Sequence, residues 1–298
     1  MMGSAALAAI PSVPVLSEDE VAARARLRAR ADFPQIARQT VLDLSRAYQG
    51  NLLLTRLLND RARIILALLM LDLNFEPADA PGLTVGRLKA EATALGLCSP
   101  GRVAAILAAA RLLGLVVPAP DIDRRRRRLV VTPRLIDIHK ERWRTVLLAM
   151  RPALPEGDIG LAYLDDERFL AAFVAALLAP FRAGWRIAQE VPWLRVFADR
   201  DGGLLIAFAL YEATHTGAPL PIAPLARTFR ISRSHIADIL AKAAQAGLVR
   251  RVDAPTKGVP GFLAEPLLVE AIEAFAAIAL VRQAFAVREA MAAIQPAA

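Results

Sequence analysis

The chain has 298 residues and a formal net charge of +8 at pH 7, which allows two ordinary domains and favours a polyanionic partner, nucleic acid before an anionic membrane surface. Hydrophobic residues make up 56% of it, but its apolar runs are short or interrupted by charges, so no membrane-spanning helix is predicted. One cysteine excludes an internal disulfide and a multi-cysteine metal site, and three scattered histidines add no ligand cluster.

The predicted elements begin near residue 17. Residues 1–16 are rich in alanine and proline, are expected to be disordered, and lack the positive charge that opens a signal peptide, which favours a cytoplasmic, nucleoid-associated protein. Ser17 and Glu20 form a capping box for a helix from Glu18 to about Ala31. Its alternating arginines, Arg24 among them, are expected to be solvated, with a DNA-flanking arm as the alternative.

Three more helices are predicted before the most informative stretch, residues 98–133. They run from Pro34 to Tyr48, from a cap at Asn51 or Asp60 to about Phe75, and from the cap Thr84 through Val85, Leu88 and Ala92. In the stretch itself, Ser99 is a suitable N-cap and Pro100 suits the first helical position. The apolar residues that recur at helical spacing and are predicted to face inward are Val103, Ile106, Leu107 and Ala110. We call residues 99–115 reader 1. The face of reader 1 opposite these apolar residues is predicted to be free to contact a partner.

A hairpin is predicted to follow reader 1, once Gly114 has ended the helix. Its strands are Leu115–Val117 and Leu129–Val131, and we call the hairpin wing 1. The arginines at its tip are Arg124, Arg125, Arg126, Arg127 and Arg128. A tip of this kind can lie against phosphates or enter a minor groove, with a solvated loop as the alternative. Thr132 and Pro133 are predicted to cap the next helix, which reaches Met150.

These residues resemble the MarR-type winged-helix transcriptional regulators. The matching features are Leu83-Thr84 before the reader, Ser99 to Leu115 as the reader, Asp123-Arg124-Arg125 in the wing and Thr132-Pro133 after it. The resemblance covers residues 50 to 150 and implies a winged helix-turn-helix, DNA as the partner, and homodimers that read the two halves of a near-palindrome. Arg126 to Arg128 make this wing more basic than is usual in the family, which favours phosphate contact over base reading.

A linker is predicted at residues 152–160, because RPALPEGD combines prolines, a glycine and polar residues. It divides unit 1 (residues 17–151) from unit 2 (residues 161–298). In unit 2, Asp165 is predicted to cap a helix through Ala179. Further helices are predicted at Trp193–Phe197 and Leu204–Tyr211.

The second half of the chain repeats the first. Setting Ser99 on Ser232 aligns CSPGRVAAILAAARLLGLV with ISRSHIADILAKAAQAGLV, which defines reader 2 (residues 232–248). The identities fall at Ser232, Ala237, Ile239, Leu240, Ala241, Ala243, Gly247, Leu248 and Val249. Upstream, ILALLM resembles IAFALY and LTVGRL resembles LPIAPL, with a few extra residues around Thr93 and Ala94 in the first copy. Downstream, strands at Leu248–Val252 and Phe262–Ala264 form wing 2, and a long helix runs from Pro266 to about Ala290.

The predicted fold is therefore mainly α with small β-hairpin wings, as two tandem winged helix-turn-helix units that form a single-chain pseudo-dimer. The helices between residues 34 and 75, 165 and 211, and 266 and 290 are expected to pack between the readers. Reader 1 exposes small residues, including Ala104 and Ala108, whereas reader 2 exposes more hydrogen-bonding groups, including Gln245. The candidate DNA-binding residues are Ser99, Gly101, Arg102, Ala105, Arg124, Arg125, Arg126, Arg127, Arg128, Ser232, Arg233, Ser234, His235, Asp238, Lys242 and Lys257.

The cysteine, two of the histidines and the tryptophans are interpreted mainly as residues that stabilise the fold. Cys98 has Ile231 as its counterpart in the repeat, which favours packing over a redox sensor. His139 and His215 are expected to be structural or at the surface. The tryptophans Trp143, Trp185 and Trp193 are expected to pack in the core, with a pocket for a small apolar effector as the alternative. The acidic run from Asp165 to Glu167 suits a helix N-terminus, and no catalytic, cofactor or metal motif is found.

The sequence thus predicts a non-enzymatic, sequence-specific double-stranded DNA-binding transcriptional regulator. It is interpreted as a repressor that reads an imperfect palindrome and excludes polymerase. RNA polymerase or other regulators are further candidate partners, and no membrane is expected. The alternatives are a plasmid- or phage-type replication initiator and an architectural or protein-interaction protein with tandem winged helices.

Overall fold

A computed structural model gives the structure of the protein for residues 16–50, 61–120, 127–253 and 260–295. Over these ranges the chain is mainly helical, with two small antiparallel β-hairpins. Unit 1 contains α1 (Glu18–Arg28), α2 (Phe33–Gly50), α3 (Arg61–Asn74), α4 (Val85–Ala94), α5 (Pro100–Leu112), β1 (Val116–Pro118), β2 (Leu129–Val131) and α6 (Pro133–Met150). The candidate caps Asn51 and Asp60 lie outside the described residues.

The second half continues in the same order. It contains α7 (Glu156–Tyr163), α8 (Glu167–Arg182), α9 (Ile187–Glu190), a 3-10 turn (Pro192–Leu194), α10 (Arg195–Ala198), α11 (Gly203–Thr216), α12 (Ile222–Phe229), α13 (Arg233–Gln245), β3 (Val249–Asp253), β4 (Pro260–Ala264) and α14 (Pro266–Ile294). No helix in the described part of the chain is long and apolar enough to cross a bilayer.

Side-chain caps set several of the predicted helix starts. The hydroxyls of Ser17, Thr84 and Ser99 each accept a hydrogen bond from the backbone N–H three residues later, at 3.2, 3.2 and 3.3 Å. The expected cap Asp165 is wrong by one residue. Asp166 accepts from the N–H of Phe169 at 2.8 Å, whereas Asp165 pairs with a lysine of α6.

The helix that follows wing 1 begins where it was predicted but is capped differently. Thr132 occupies the N-cap of α6 without a side-chain capping bond. Its hydroxyl instead donates to the carbonyls of Gly114 at 2.9 Å and Leu115 at 3.2 Å. Thr132 therefore ties the start of α6 to the end of reader 1.

The predicted linker contains a helix. Residues 156–163 form α7, which packs against α6 and α14. A Cβ added to Gly157 would lie 2.7 Å from the carbonyl oxygen of Leu147, so α7 and α6 approach closely and glycine is the residue that fits between them. The connection between the two halves is consequently part of the packed body.

Each half of the chain packs one of its helices against the other half. Helix α2 packs against α6 of its own half and against α11 of the other half. Helix α8 correspondingly packs against α14 of its own half and against α3 of the other half. Each of the two contacts between the halves includes an ion pair: Arg38 with Glu212 at 2.7 Å, and Arg182 with Asp72 at 2.6 Å. The halves therefore hold each other in a reciprocal arrangement.

The expected solvation of the α1 arginines is wrong for Arg24. This side chain is only 7% exposed, and it donates to Glu20 and to Glu190, each at 2.6 Å. Glu20 also accepts from Arg282 of α14 at 2.6 Å. A buried guanidinium is retained only where carboxylates neutralise it, and here α1 and α9 supply them.

Candidate nucleic-acid interface

The helix, turn, helix and hairpin of unit 1 recur in unit 2 with matching backbone hydrogen bonds. The N–H of Leu115 donates to the carbonyl of Ala110, and that of Leu248 donates to Ala243, both at 2.9 Å. Both readers end at a glycine with positive φ, 67° at Gly114 and 69° at Gly247, a conformation that glycine adopts at low cost. Equivalent residues of the two units are 133 positions apart throughout this segment. The segment begins at the serine caps of the readers, Ser99 and Ser232, and ends at the N-caps of the helices that follow the wings.

Each hairpin is fastened in the same way to the helix that precedes the helix-turn-helix pair of its unit. The side chain of Asn74, at the end of α3, accepts from the N–H of Val131 at 2.8 Å. The hydroxyl of Thr214, in the last turn of α11, accepts from the N–H of Ala264, also at 2.8 Å. A third extended segment joins each hairpin as well, because Leu129 N–H donates to the Leu83 carbonyl and Leu220 pairs with Phe262. The repeat detected in the sequence therefore extends to the framework.

Reader 1 presents a small, mostly apolar surface. Three of the four residues predicted to face inward, Val103, Leu107 and Ala110, are buried, and Ile106 is half-buried. The outward side is formed by exposed residues with little hydrogen-bonding capacity, namely Gly101, Ala105, Ala108 and Leu112. Ser99 and Arg102 are also exposed, while Ala104 is only half-exposed. This surface permits close approach of a partner but offers few groups that could read base edges.

Reader 2 presents a polar surface that is already partly engaged. Asp238 accepts from Lys242 at 3.0 Å and from Arg200, in the loop before α11, at 2.8 Å. The hydrogen bond from Lys242 and the charges of Lys242 and Arg200 hold the pKa of Asp238 below its usual value, against a smaller opposing effect of burial. Asp238 is consequently a carboxylate with two cationic partners. The sequence predicted Asp238 and Lys242 as contacts but not Arg200, which is remote in sequence.

The loop before α11 lies against the N-terminal half of reader 2. The Nε2 atom of His235 lies 3.3 Å from the carbonyl oxygen of Asp201. A Cβ added to Gly202, whose φ is 67°, would lie 2.2 Å from Cδ1 of Ile231. The positive φ favours glycine at this position, and a larger residue would also have to displace the end of the Ile231 side chain. Of the other candidates on reader 2, Ser232, Arg233 and Ser234 are exposed, as is Gln245.

The wing residues are described only in part. Arg124, Arg125 and Arg126 of wing 1, together with Lys257 of wing 2, lie outside the described residues. Arg127 is exposed, with φ of 43°, a conformation that L-residues rarely adopt. Arg128 is turned back toward the body of unit 1, where its Nη1 donates to the Ala78 carbonyl at 3.3 Å.

A basic turn in unit 2 was missed by the sequence interpretation. Arg227, Arg230 and Arg233 follow one another at three-residue intervals across the turn between α12 and α13, and all three are exposed. Arg230 has φ of 54°. The alignment of the two copies could have identified this turn. The corresponding turn of unit 1, Leu95 to Cys98, has no cationic residue, so the arginines are specific to unit 2.

The three tryptophans differ in their exposure. Trp143 and Trp185 are buried in the core, while Trp193 is 45% exposed. A cleft of about 360 Å³ opens between α2, α11 and α12. Its lining is mainly apolar and includes Val41, Leu42, Phe208, Leu220 and Phe229.

The remaining candidates take structural positions. Cys98 is half-buried against the core, like its counterpart Ile231. His139 is fully buried, and neither ring nitrogen has a hydrogen-bond partner among the described residues. Burial lowers the pKa of His139 well below its usual value, and the charge of Arg142 lowers it further. His215 bonds through Nδ1 to the Tyr211 carbonyl at 2.9 Å, within its own helix.

Within the described ranges, histidine, cysteine and carboxylate side chains form no cluster of three that could hold a metal ion. No family model matches the chain, and comparisons with curated proteins and with solved structures found no match.

Proposed function

We propose that this protein is a sequence-specific, double-stranded DNA-binding transcriptional regulator that reads an imperfect palindrome with two winged helix-turn-helix units in one chain. The proposal rests on the recurrence of one helix, turn, helix and hairpin framework, with the reader caps Ser99 and Ser232 at an offset of 133 residues. In both copies the second helix of the pair is capped by a serine and has an exposed outer face. Helices presented in this way insert into the major groove in DNA-binding proteins of this architecture.

Electrostatics support DNA as the partner. The net charge of the chain is +8, and five consecutive arginines occupy the segment between β1 and β2. Phosphate neutralisation by arginine releases counterions and supplies most of the sequence-independent affinity for DNA. On a neutral protein surface, this run of positive charge would find no comparable set of negative groups to bind.

The reciprocal packing of α2 and α8 supports the pseudo-dimer. In a twofold dimer each subunit contributes the same helix to the other, and here the two halves of one chain do so through α2 against α11 and α8 against α3. Because the halves are fused, their exposed residues have diverged while the framework is shared. We therefore expect a site with two unequal halves, in which the half contacted by reader 2 depends more on hydrogen bonds to base edges.

The resemblance to MarR-type regulators supports a role as a repressor that occupies a promoter and excludes polymerase. For a small apolar effector, the candidate site is the cleft between α2, α11 and α12. Its walls are mainly apolar, and they join unit 2 to a helix of unit 1. Occupation of this cleft would act on the relation between the two units.

A second candidate is a protein-interaction or architectural role for unit 1. It is favoured by the outer face of reader 1, where Leu112 is 88% exposed and the neighbouring side chains are small and apolar. Exposed apolar surface of this kind is more typical of a protein contact than of a phosphate contact.

The decisive test is selection of fragments from the source genome by the purified protein at two salt concentrations, followed by sequencing. We expect one short, imperfectly symmetric motif upstream of genes. A perfect palindrome with equal dependence on both halves would contradict the divergence of the readers. Tandem direct repeats near an origin would indicate a replication initiator, and salt-sensitive binding without enrichment would indicate the architectural role.

The role of wing 1 is tested separately by changing Arg124 to Arg128 to alanine. The log–log dependence of affinity on salt is expected to become shallower by about 0.9 for each phosphate that wing 1 no longer neutralises, for any DNA sequence. The matched variant with five lysines retains the charge and should keep the slope of the unchanged protein. An unchanged slope in the alanine variant would exclude wing 1 from phosphate binding.

A further inference from the structure

The turn between α12 and α13 holds an arginine in a conformation that arginine rarely adopts. Arg230 ends α12 with φ of 54° and ψ of 42°, in the left-handed region. Its Cβ makes this conformation unfavourable, whereas glycine adopts it readily, so glycine is the usual residue at this position after a helix. An arginine here has a conformational cost that its own turn does not explain.

The repeat supplies the comparison within the same chain. The residue of unit 1 that closes the equivalent turn is Gly96, with φ of 61°. The N–H of the next residue donates to the equivalent carbonyl in both copies, Leu97 to Ala92 at 3.0 Å and Ile231 to Ala226 at 3.2 Å. Unit 1 has one additional residue between this turn and its serine cap, because Leu97 and Cys98 precede Ser99 whereas Ile231 alone precedes Ser232. The same backbone position therefore carries the low-cost residue in one copy and a strained arginine in the other.

Contacts within the protein do not account for the side chain of Arg230. Arg227, Arg230 and Arg233 are all exposed, and none of their side chains forms a hydrogen bond or an ion pair with the described residues. This distinguishes them from arginines such as Arg38 and Arg182, which are paired with carboxylates. Three free guanidinium groups around one turn form a cationic surface beside the N-terminus of reader 2.

Positive charge is distributed differently in the two units. Unit 1 has five consecutive arginines between its wing strands and no cationic residue in its helix-connecting turn, Leu95 to Cys98. Unit 2 has one lysine, Lys257, between its wing strands and has Arg227, Arg230 and Arg233 around its turn. The framework is shared, so this difference concerns only the surface that each unit offers to a partner.

We propose that unit 2 binds DNA phosphates through the turn between α12 and α13, with Arg230 as the central contact flanked by Arg227 and Arg233. This inference rests on the proposed function, because it assigns the turn to the same DNA on which reader 2 lies. Strained residues persist where the surrounding structure holds them for a function, and a phosphate is the partner that a cluster of exposed arginines fits.

The test compares variants of the full chain for binding to a random-sequence duplex of about 30 base pairs, long enough for two half-sites one helical turn apart. Arg230→Gly, which copies Gly96, is expected to weaken binding about fivefold to tenfold at about 0.1 M salt and to reduce the salt slope by about 0.9. Its melting temperature should not fall, because glycine relieves the backbone. Arg230→Lys keeps the charge and should retain most of the slope.

Two further variants make the comparison specific. Arg168→Gln removes the same charge from an exposed site on α8, outside the helix pair and the wing of unit 2. It should leave the slope nearly unchanged. Gly96→Arg transfers the residue to unit 1, where the position of an added Cβ is open. This variant should steepen the slope by about 0.9.

The outcomes separate this inference from the proposed function. If the unchanged protein binds DNA with a strong salt dependence but Arg230→Gly retains its affinity and slope, the turn has no phosphate contact while DNA binding stands. If Arg230→Gly and Arg168→Gln weaken binding equally, the effect is one of net charge and the inference is wrong. If the unchanged protein does not bind the duplex, both proposals fail.

Discussion

The two readers share their buried side and differ on their exposed side. Leu107 and Leu240 occupy equivalent positions and are 2% and 0% exposed, and both helices begin at a serine cap and end before a glycine with positive φ. Outward, reader 1 offers Gly101, Ala108 and Leu112, whereas reader 2 offers serines, an arginine and an aspartate with two cationic partners.

This difference shows which part of the repeat is constrained by folding. A buried position must match its neighbours in volume and polarity, because a cavity or an unpaired polar group in the core destabilises the protein by several kcal/mol. An exposed position is free of that requirement and can follow the partner. Equivalent substitutions in the two copies test this distinction directly.

Truncation of the shared core should have the greatest consequence. Leu107→Ala and Leu240→Ala each remove a buried side chain and should lower the free energy of unfolding by about 2 to 5 kcal/mol. The measurement is chemical denaturation of each variant beside the unchanged protein. Similar decreases would confirm that the two positions are equivalent in packing. A decrease in one copy without a decrease in the other would contradict the common framework.

A buried histidine distinguishes the last helices of the two units. His139 of α6 is fully buried beside Trp143, whereas Ile272 occupies the equivalent position in α14. Because burial lowers the pKa of His139, the folded protein keeps this ring neutral while the unfolded chain takes up a proton below a pKa of about 6.5. The unfolded state then binds more protons, so stability falls as pH falls through this range.

We expect His139→Ile to remove about 1 kcal/mol of the decrease in stability between pH 7 and pH 5.5, measured by denaturation at each pH. Ile272→Val is the matched control at the equivalent position, and it should shift stability equally at both values. If the pH dependence of His139→Ile equals that of the unchanged protein, His139 is not kept neutral by folding.

The ion pairs that join the halves should have the least influence on stability. Arg182 of α8 donates to Asp72 and to Glu91, at 2.6 and 2.9 Å, whereas Arg38 of α2 has Glu212 as its one side-chain partner among the described residues. Partly exposed ion pairs contribute little because solvent screens them, so Arg182→Ala should cost no more than about 1 kcal/mol. Arg38→Ala should cost less, as measured by thermal unfolding at low and high salt. The reverse order would show that α2 contributes more than α8 to joining the halves.

Local chemistry explains why so many element boundaries could be predicted from the sequence. The caps at Ser17, Thr84 and Ser99 depend on hydrogen bonds to a residue three positions away, and Gly114 depends on its own φ. The alignment of Ser99 with Ser232 rests on the same local pattern repeated. The prediction of Asp165 as a cap was wrong because adjacent aspartates are equivalent in sequence, and only the direction of the incoming chain separates them.

Contacts between distant residues could not be predicted in this way. Nothing near Arg24 in sequence indicates Glu190 and Arg282 as members of its buried ion network, and Arg200 is 38 residues from Asp238, its partner on reader 2. The reciprocal contacts of α2 and α8 with helices of the other half likewise depend on how complete helices pack. These arrangements change which candidate side chains are free to meet a partner.

Hydrophobic period, caps and turn residues were sufficient to specify the mainly helical class, the two hairpins, the readers and their repetition, because these signals act over a few positions. The exchange of helices between the halves, the burial of Arg24 and His139, and the partners of Asp238 were decided only when the chain folded. So was the left-handed conformation of Arg230, which sequence preference alone would assign to glycine. The physical reason is that these outcomes depend on desolvation and packing between segments that only the folded chain brings together.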